Sequence, residues 1–149
     1  MTLKERLNED MKTAMKEREA GKERLSVIRL IRAAVKNLEI ERGHELSDEE
    51  VLEVLAREVK QRRDAIIEYQ KADRPDFVAS LEREIEIVLG YMPKQMSADE
   101  IRALAKEVIA QTGVKDAKEI GKVMGVLMPK VKGKADGKLV NQIVRELLA

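Results

Sequence analysis

The sequence predicts an all-α protein, with an N-terminal four-helix unit over residues 1–90 and a small three-helix C-terminal unit over residues 91–149. Three observations predict it. Apolar residues recur at steps of three and four along most of the chain, which is the spacing of one helix face. No segment sustains the alternation of a half-buried strand, so no sheet is expected. Helix-start and helix-stop signals punctuate the periodic segments, and Gly90-Tyr-Met-Pro93 stops one helix without allowing its simple continuation, which marks the boundary between the units.

Each helix has its own warrant. Residues 2–18 place Leu3, Leu7, Met11, Ala14 and Met15 on one stripe, and Gly21 interrupts it. A second helix over 22–42 turns Leu25, Ile28, Ile31, Val35 and Leu38 inward and stops at Gly43. Ser47-Asp-Glu-Glu50 is a capping box that opens a third helix over 48–71, with Leu52, Leu55, Val59, Ile66 and Tyr69 on its inner face. The run Lys60-Gln-Arg-Arg-Asp64 predicts a wide solvent face in the middle of that helix. Asp73-Arg-Pro75 ends it, because proline disfavours helix in the preceding residue and suits a new first turn. The fourth helix, 75–89, carries Phe77, Leu81, Ile85, Val88 and Leu89.

In the C-terminal unit, a second capping box, Ser97-Ala-Asp-Glu100, opens a helix through Gln111 that Gly113 closes. Asp116 caps a short sixth helix expected to end before Pro129. Residues 130–135 are too rich in glycine and lysine for stable helix. Asp136 caps the last helix, 137–148, whose apolar residues are Leu139, Val140, Ile143, Val144 and Leu147.

Composition narrows the function. Of 149 residues, 38% are charged and 44% apolar, so the cores are aliphatic and the outer faces heavily solvated. Net charge is only +1, yet residues 90–149 hold 11 Lys+Arg against 7 Asp+Glu, and residues 1–89 hold 18 against 21. A basic C-terminal unit is therefore joined to a mildly acidic N-terminal one. The absence of cysteine excludes disulfides, thiolate metal sites and thiol catalysis. No apolar run is long enough for a transmembrane helix, and the first residues are already amphipathic and charged, so the expectation is a cytoplasmic protein that does not engage membrane.

No catalytic constellation can be named. His44 is the single histidine and lies in a short loop, without a second group to work with it in acid–base chemistry. Glu84 and Glu86, or Glu49, Glu50 and Glu53, read as solvated helix faces and local ion pairs. Gly121-Lys-Val-Met-Gly125 and Gly133-Lys-Ala-Asp-Gly137 lack the preceding strand and the Lys-Ser or Lys-Thr of a nucleotide-binding loop. Met11, Met15, Met124 and Met128 read as core filler. The sequence predicts no catalytic residue, metal ligand or cofactor.

The stretch from Glu119 to Lys138 departs furthest from a plain helix. It holds Lys122, Lys130, Lys132, Lys134 and Lys138, and Asp136 is its only acid after Glu119. Gly133 and Gly137 allow a ligand to approach the backbone, and the start of the last helix offers unpaired amides at a positive dipole end. Two readings stand side by side: a solvated loop, or a grip on a sugar-phosphate backbone. With 2% aromatic residues, single-strand binding by base stacking is disfavoured, and reading of folded RNA by shape and phosphate contacts fits better; no DNA partner is expected.

Tyr91-Met-Pro-Lys-Gln-Met-Ser-Ala-Asp-Glu-Ile101, Gly121-Lys-Val-Met-Gly-Val-Leu-Met-Pro129 and Gly133-Lys-Ala-Asp-Gly-Lys-Leu-Val-Asn141 resemble the YqeY family, as does Leu25-Ser-Val-Ile-Arg-Leu-Ile-Arg-Ala-Ala34. That family is similar to the helical and tail regions of the B subunit of tRNA-dependent amidotransferase (GatB), a carbon–nitrogen ligase with glutamine as amido donor. The resemblance implies an all-helical two-part chain and a C-terminal unit that faces tRNA, with Asn141 joining the lysines and glycines above. It does not imply catalysis, because the parent enzyme's ATP-using and glutaminase centres lie in other regions. The alternative is an adaptor that docks on an amidotransferase or an aminoacyl-tRNA synthetase. An accessory role in transamidation finds no residues here to support it.

Overall fold

The computed structural model describes residues 1–149 and contains helices and no strand. The order is α1 (Leu3–Lys16), a 3-10 turn (Arg18–Gly21), α2 (Lys22–Arg42), α3 (Asp48–Lys71), α4 (Pro75–Leu89), α5 (Ala98–Thr112), a 3-10 turn (Ala117–Glu119), α6 (Ile120–Val131) and α7 (Gly137–Leu148). The chain divides into two compact units, Met1–Met92 and Pro93–Ala149, each with its own core.

In the first unit, Leu7, Ile28, Ile31, Val51, Leu55 and Val88 bring α1 to α4 around one aliphatic core. Completely burying such a side chain contributes about 1.5–3 kcal/mol. Thr2 and Glu5 form a reciprocal capping box at α1, and Ser47 and Glu50 form the expected one at α3. Glu39 then knits the helices together: it accepts from Lys4 Nζ at 2.6 Å and from the Leu46 amide at 2.9 Å. The Leu3 amide donates to Asp48 at 3.0 Å, which ties α1 to the start of α3.

Several expectations are corrected here. Helix α1 stops at Lys16, short of the expected residue 18, and Arg18 takes a left-handed conformation, with φ 55°. Gly21 is needed for close approach: a Cβ there would stand 2.2 Å from the Ala14 carbonyl oxygen. The middle of α3 is not all solvent face, because Arg62 is buried against α4. Its Nη1 donates to the Glu58 carbonyl at 3.1 Å, and its Nε lies 3.3 Å from Glu84. Tyr91 does not open the second unit. It is buried in the first core, donates to Asp10 at 2.5 Å and lies under the Arg6 guanidinium. Burial, then the Asp10 carboxylate, pushes its phenol well above the ordinary tyrosine value. Met15 and Phe77 are exposed, whereas Met11, Met124 and Met128 pack on the cores.

The second unit is built from α5, α6 and α7 around Ile101, Val108, Val123, Leu127, Val140 and Val144. Ser97 accepts from the Glu100 amide at 3.1 Å, the cap expected of it, but without the return bond that completes a box. Helix α6 runs past Pro129 to Val131. Proline removes one bond only, and it stands in the last turn, while the buried stripe Val123, Leu127, Val131 holds that turn against the core. Leu139 lies on the exposed side of α7.

Candidate functional site

The lysine-glycine stretch spans α6, the turn after it and the start of α7. Lys130 stands in the last turn of α6, Lys132 caps that helix, and Lys134 and Lys138 follow, all four exposed. Gly133 has φ 75°, which reverses the chain between Lys132 and Lys134. The amides of Lys134 and Ala135 return to the Val131 carbonyl at 2.8 and 3.1 Å, closing the turn on the end of α6.

The turn is also held from outside. The Met96 amide donates to the Lys134 carbonyl at 2.8 Å, and Gln95 Nε2 donates to the Gly133 carbonyl at 2.9 Å and to the Pro93 carbonyl at 3.0 Å. The backbone is therefore fixed from the segment that leads into α5, while the lysine side chains face solvent. Sequence reasoning missed Gln95 and Met96, because the contact spans 38 residues and leaves no local signal.

The fold does not bring every expected residue to this turn. Lys122 lies in the first turn of α6, about 12 Å along the helix axis from Lys130, and sits 3.5 Å from Glu119. Asn141 accepts from Arg145 Nε at 2.6 Å, so its side chain is engaged within α7. Gly137 begins α7, where a Cβ would meet only the Met128 side chain at ordinary contact distance. The amides at the start of α7 are not all open: Asp136 accepts from the Lys138 amide at 3.4 Å, so a carboxylate already meets that dipole end. The compact cationic feature is thus Lys130, Lys132, Lys134 and Lys138 around Gly133.

Elsewhere, His44 is exposed in its loop, with Nδ1 2.9 Å from the Glu45 carbonyl and Nε2 3.7 Å from Glu50. Histidine and carboxylate groups nowhere assemble as a metal-binding cluster of three or more. No helix is long and apolar enough to cross a membrane. A groove of about 700 Å³ runs between α1 and α2, lined among others by Lys4, Asn8, Arg29, Arg32 and Lys36. Arg29, Arg32 and Lys36 follow at steps of three and four and so share one helix stripe, a signal that the sequence itself carries.

A model of the Yqey-like protein family matches residues 4–148. A curated relative from Pyrenophora tritici-repentis, altered inheritance of mitochondria protein 41, mitochondrial, is 28% identical over 147 residues, covering 96% of this chain and 79% of its own length. The protein of the same name from Lachancea thermotolerans is 33% identical over 101 residues, 67% of this chain and 53% of its own. Because the family model spans nearly every residue of both helical units, the chain belongs to the YqeY family.

Proposed function

We propose that this is a non-catalytic RNA-binding protein of the cytoplasm whose C-terminal unit grips the backbone of folded RNA, tRNA being the expected partner. The observation that carries the reading is the anchored turn at Gly133: its carbonyls are held by Gln95 and Met96 while the surrounding lysines stay exposed. A fixed backbone loses little order on meeting phosphates, so the ordering cost falls on the lysine side chains alone. The aliphatic surface around it offers no ring on which a base could stack, which favours recognition by shape and phosphate.

Titration of labelled tRNA, followed by fluorescence anisotropy, tests this. If the four lysines around Gly133 each neutralise one phosphate, log affinity falls against log salt with a slope near ~3. Replacing Lys130, Lys132 and Lys134 by Ala lowers affinity and removes roughly two to three units of that slope, with the helical signal unchanged. Unchanged affinity in the triple variant overturns the assignment.

One observation favours a protein partner as a second reading. Tyr69 and Phe77 stack at 4.8 Å where α3 meets α4, with the Arg74 guanidinium 4.4 Å from the Phe77 ring, and both rings are exposed. Aromatic and arginine side chains together are typical interface anchors. Loss of binding to an amidotransferase or aminoacyl-tRNA synthetase in Y69A/F77A, after nuclease treatment, would support the adaptor reading.

A further inference from the structure

We infer that the groove between α1 and α2 binds a phosphate-bearing ligand, with Arg29, Arg32 and Lys36 as its anion-holding groups. The site lies in the N-terminal unit and does not rest on the RNA reading of the lysine turn.

Some of the charges in the groove are already used by the fold. Glu5 accepts from the Thr2 amide at 3.1 Å as part of the α1 cap. Glu39 is held by Lys4 at 2.6 Å and by the Leu46 amide at 2.9 Å. Both carboxylates that line the groove are therefore engaged in holding the fold, and Lys4 with them. On α2, Arg29 and Arg32 make no ion pair, and Lys36, whose charge reaches Glu39, stands beyond ion-pair distance of it. Arg29 and Lys36 are exposed, and Arg32 Nη1 rests 2.8 Å from the Met11 sulfur, a weak acceptor that a phosphate oxygen would readily displace.

Their spacing suits one ligand. Positions 29, 32 and 36 follow one another at three and four residues, so the three groups form a stripe about 10 Å long. Guanidinium forks match phosphate oxygens in pairs, and three cations over that length suit a group with several charged oxygens better than a single carboxylate. The floor is apolar: Leu7 and Val35 are buried beneath the groove, and Ala33 leaves room above them. A volume of about 700 Å³ lies within the range of ordinary small-ligand sites. A row of cations beside a cavity of that size suits a phosphorylated small molecule, with its phosphates on the arginines. The phosphate can come from a free nucleotide or from an RNA backbone.

The test is calorimetric titration of the full chain with ATP and, separately, with a uridine hexanucleotide, in the native protein, R29A/R32A, R29K/R32K and K130A/K132A/K134A. Saturable binding of ATP that weakens about tenfold or more in R29A/R32A, is partly kept in R29K/R32K and is unaltered in the lysine-turn variant supports a free phosphorylated ligand. A hexanucleotide response that R29A/R32A abolishes, with no ATP response, supports a backbone phosphate at the same site. No binding of either probe, or binding indifferent to R29A/R32A, overturns the inference. Both arginines are exposed, so thermal melting should be unchanged and loss of binding cannot be put down to unfolding.

Discussion

The backbone amide of Met96 donates to the Lys134 carbonyl at 2.8 Å, so a segment before α5 holds the turn that follows α6. Gln95 reinforces it through the Gly133 carbonyl. Gln95→Ala should cost about 1 kcal/mol of stability, the usual net worth of one such bond. Amide exchange at Lys134 and Ala135, whose bonds close the turn, should quicken in that variant while exchange in mid-α7 stays as it was. Equal protection at the turn would show that Met96 alone suffices.

Two glycines should fail for opposite reasons. Gly21→Ala keeps an easy backbone conformation but drives a methyl into the Ala14 carbonyl oxygen at 2.2 Å, so α1 and α2 must separate. A cost of about 1–3 kcal/mol or more is expected. Gly133→Ala meets nothing within 4 Å, and its cost is conformational alone, from φ 75°, about 1–2 kcal/mol. Urea unfolding of the two variants distinguishes them: Gly21→Ala should be the less stable, and the opposite order would contradict the close approach.

Arg62 bridges two carboxylates. Its side chain is only 9% exposed, 3.7 Å from Glu58 and 3.3 Å from Glu84, which itself is 23% exposed. Arg62→Ala should cost roughly 2–3 kcal/mol, below the full penalty of a broken buried pair because water reaches Glu84. Adding Glu58→Gln and Glu84→Gln to Arg62→Met should recover most of that loss. If the triple variant is no better than Arg62→Ala, the loss comes neither from unpaired charge nor from the bulk of the stem, which leaves the bond to the Glu58 carbonyl.

Acid should loosen the first unit by a traceable route. The Lys4 ammonium, then the Leu46 amide, hold the Glu39 carboxyl below its ordinary 4.5, and Arg42 followed by the Ser47 amide does the same for Glu50. A lowered folded value favours the ionised group in the fold. Its contribution is full above 4.5 and is lost as pH falls through the lowered value. Glu39→Gln should therefore melt below the native protein at neutral pH, and the gap should close as pH falls past 4.5. Lys4 is raised by the same bond, so its share disappears only as pH climbs through a value above 10.5. A gap in melting temperature that stays constant with pH would show the pair to be idle.

What the sequence made legible was local. The caps at Ser47, Ser97 and Asp136, and the start of α4 at Pro75, depend on neighbours within a turn, and the helices begin where those residues said. What it hid depends on distant partners. Nothing near Arg62 announces Glu84, nothing near Gly21 announces the Ala14 carbonyl, and Pro129 reads as a stop until the burial of Leu127 and Val131 is known. The site divides the same way. The lysines around Gly133 were visible as composition, whereas the anchoring by Gln95 and the separation of Lys122 needed the fold.

The placement of Tyr69, Phe77 and Tyr91 has a further consequence. All three aromatic rings belong to the first unit, and the chain has no tryptophan. In near-ultraviolet light the second unit is therefore silent, and tyrosine emission or near-ultraviolet circular dichroism reports on the N-terminal helices alone. Far-ultraviolet signal registers both. Superimposable melting curves in the two ranges mean that the units unfold as one; an early loss of helical signal, with the rings still fixed, means that the lysine-bearing half opens on its own.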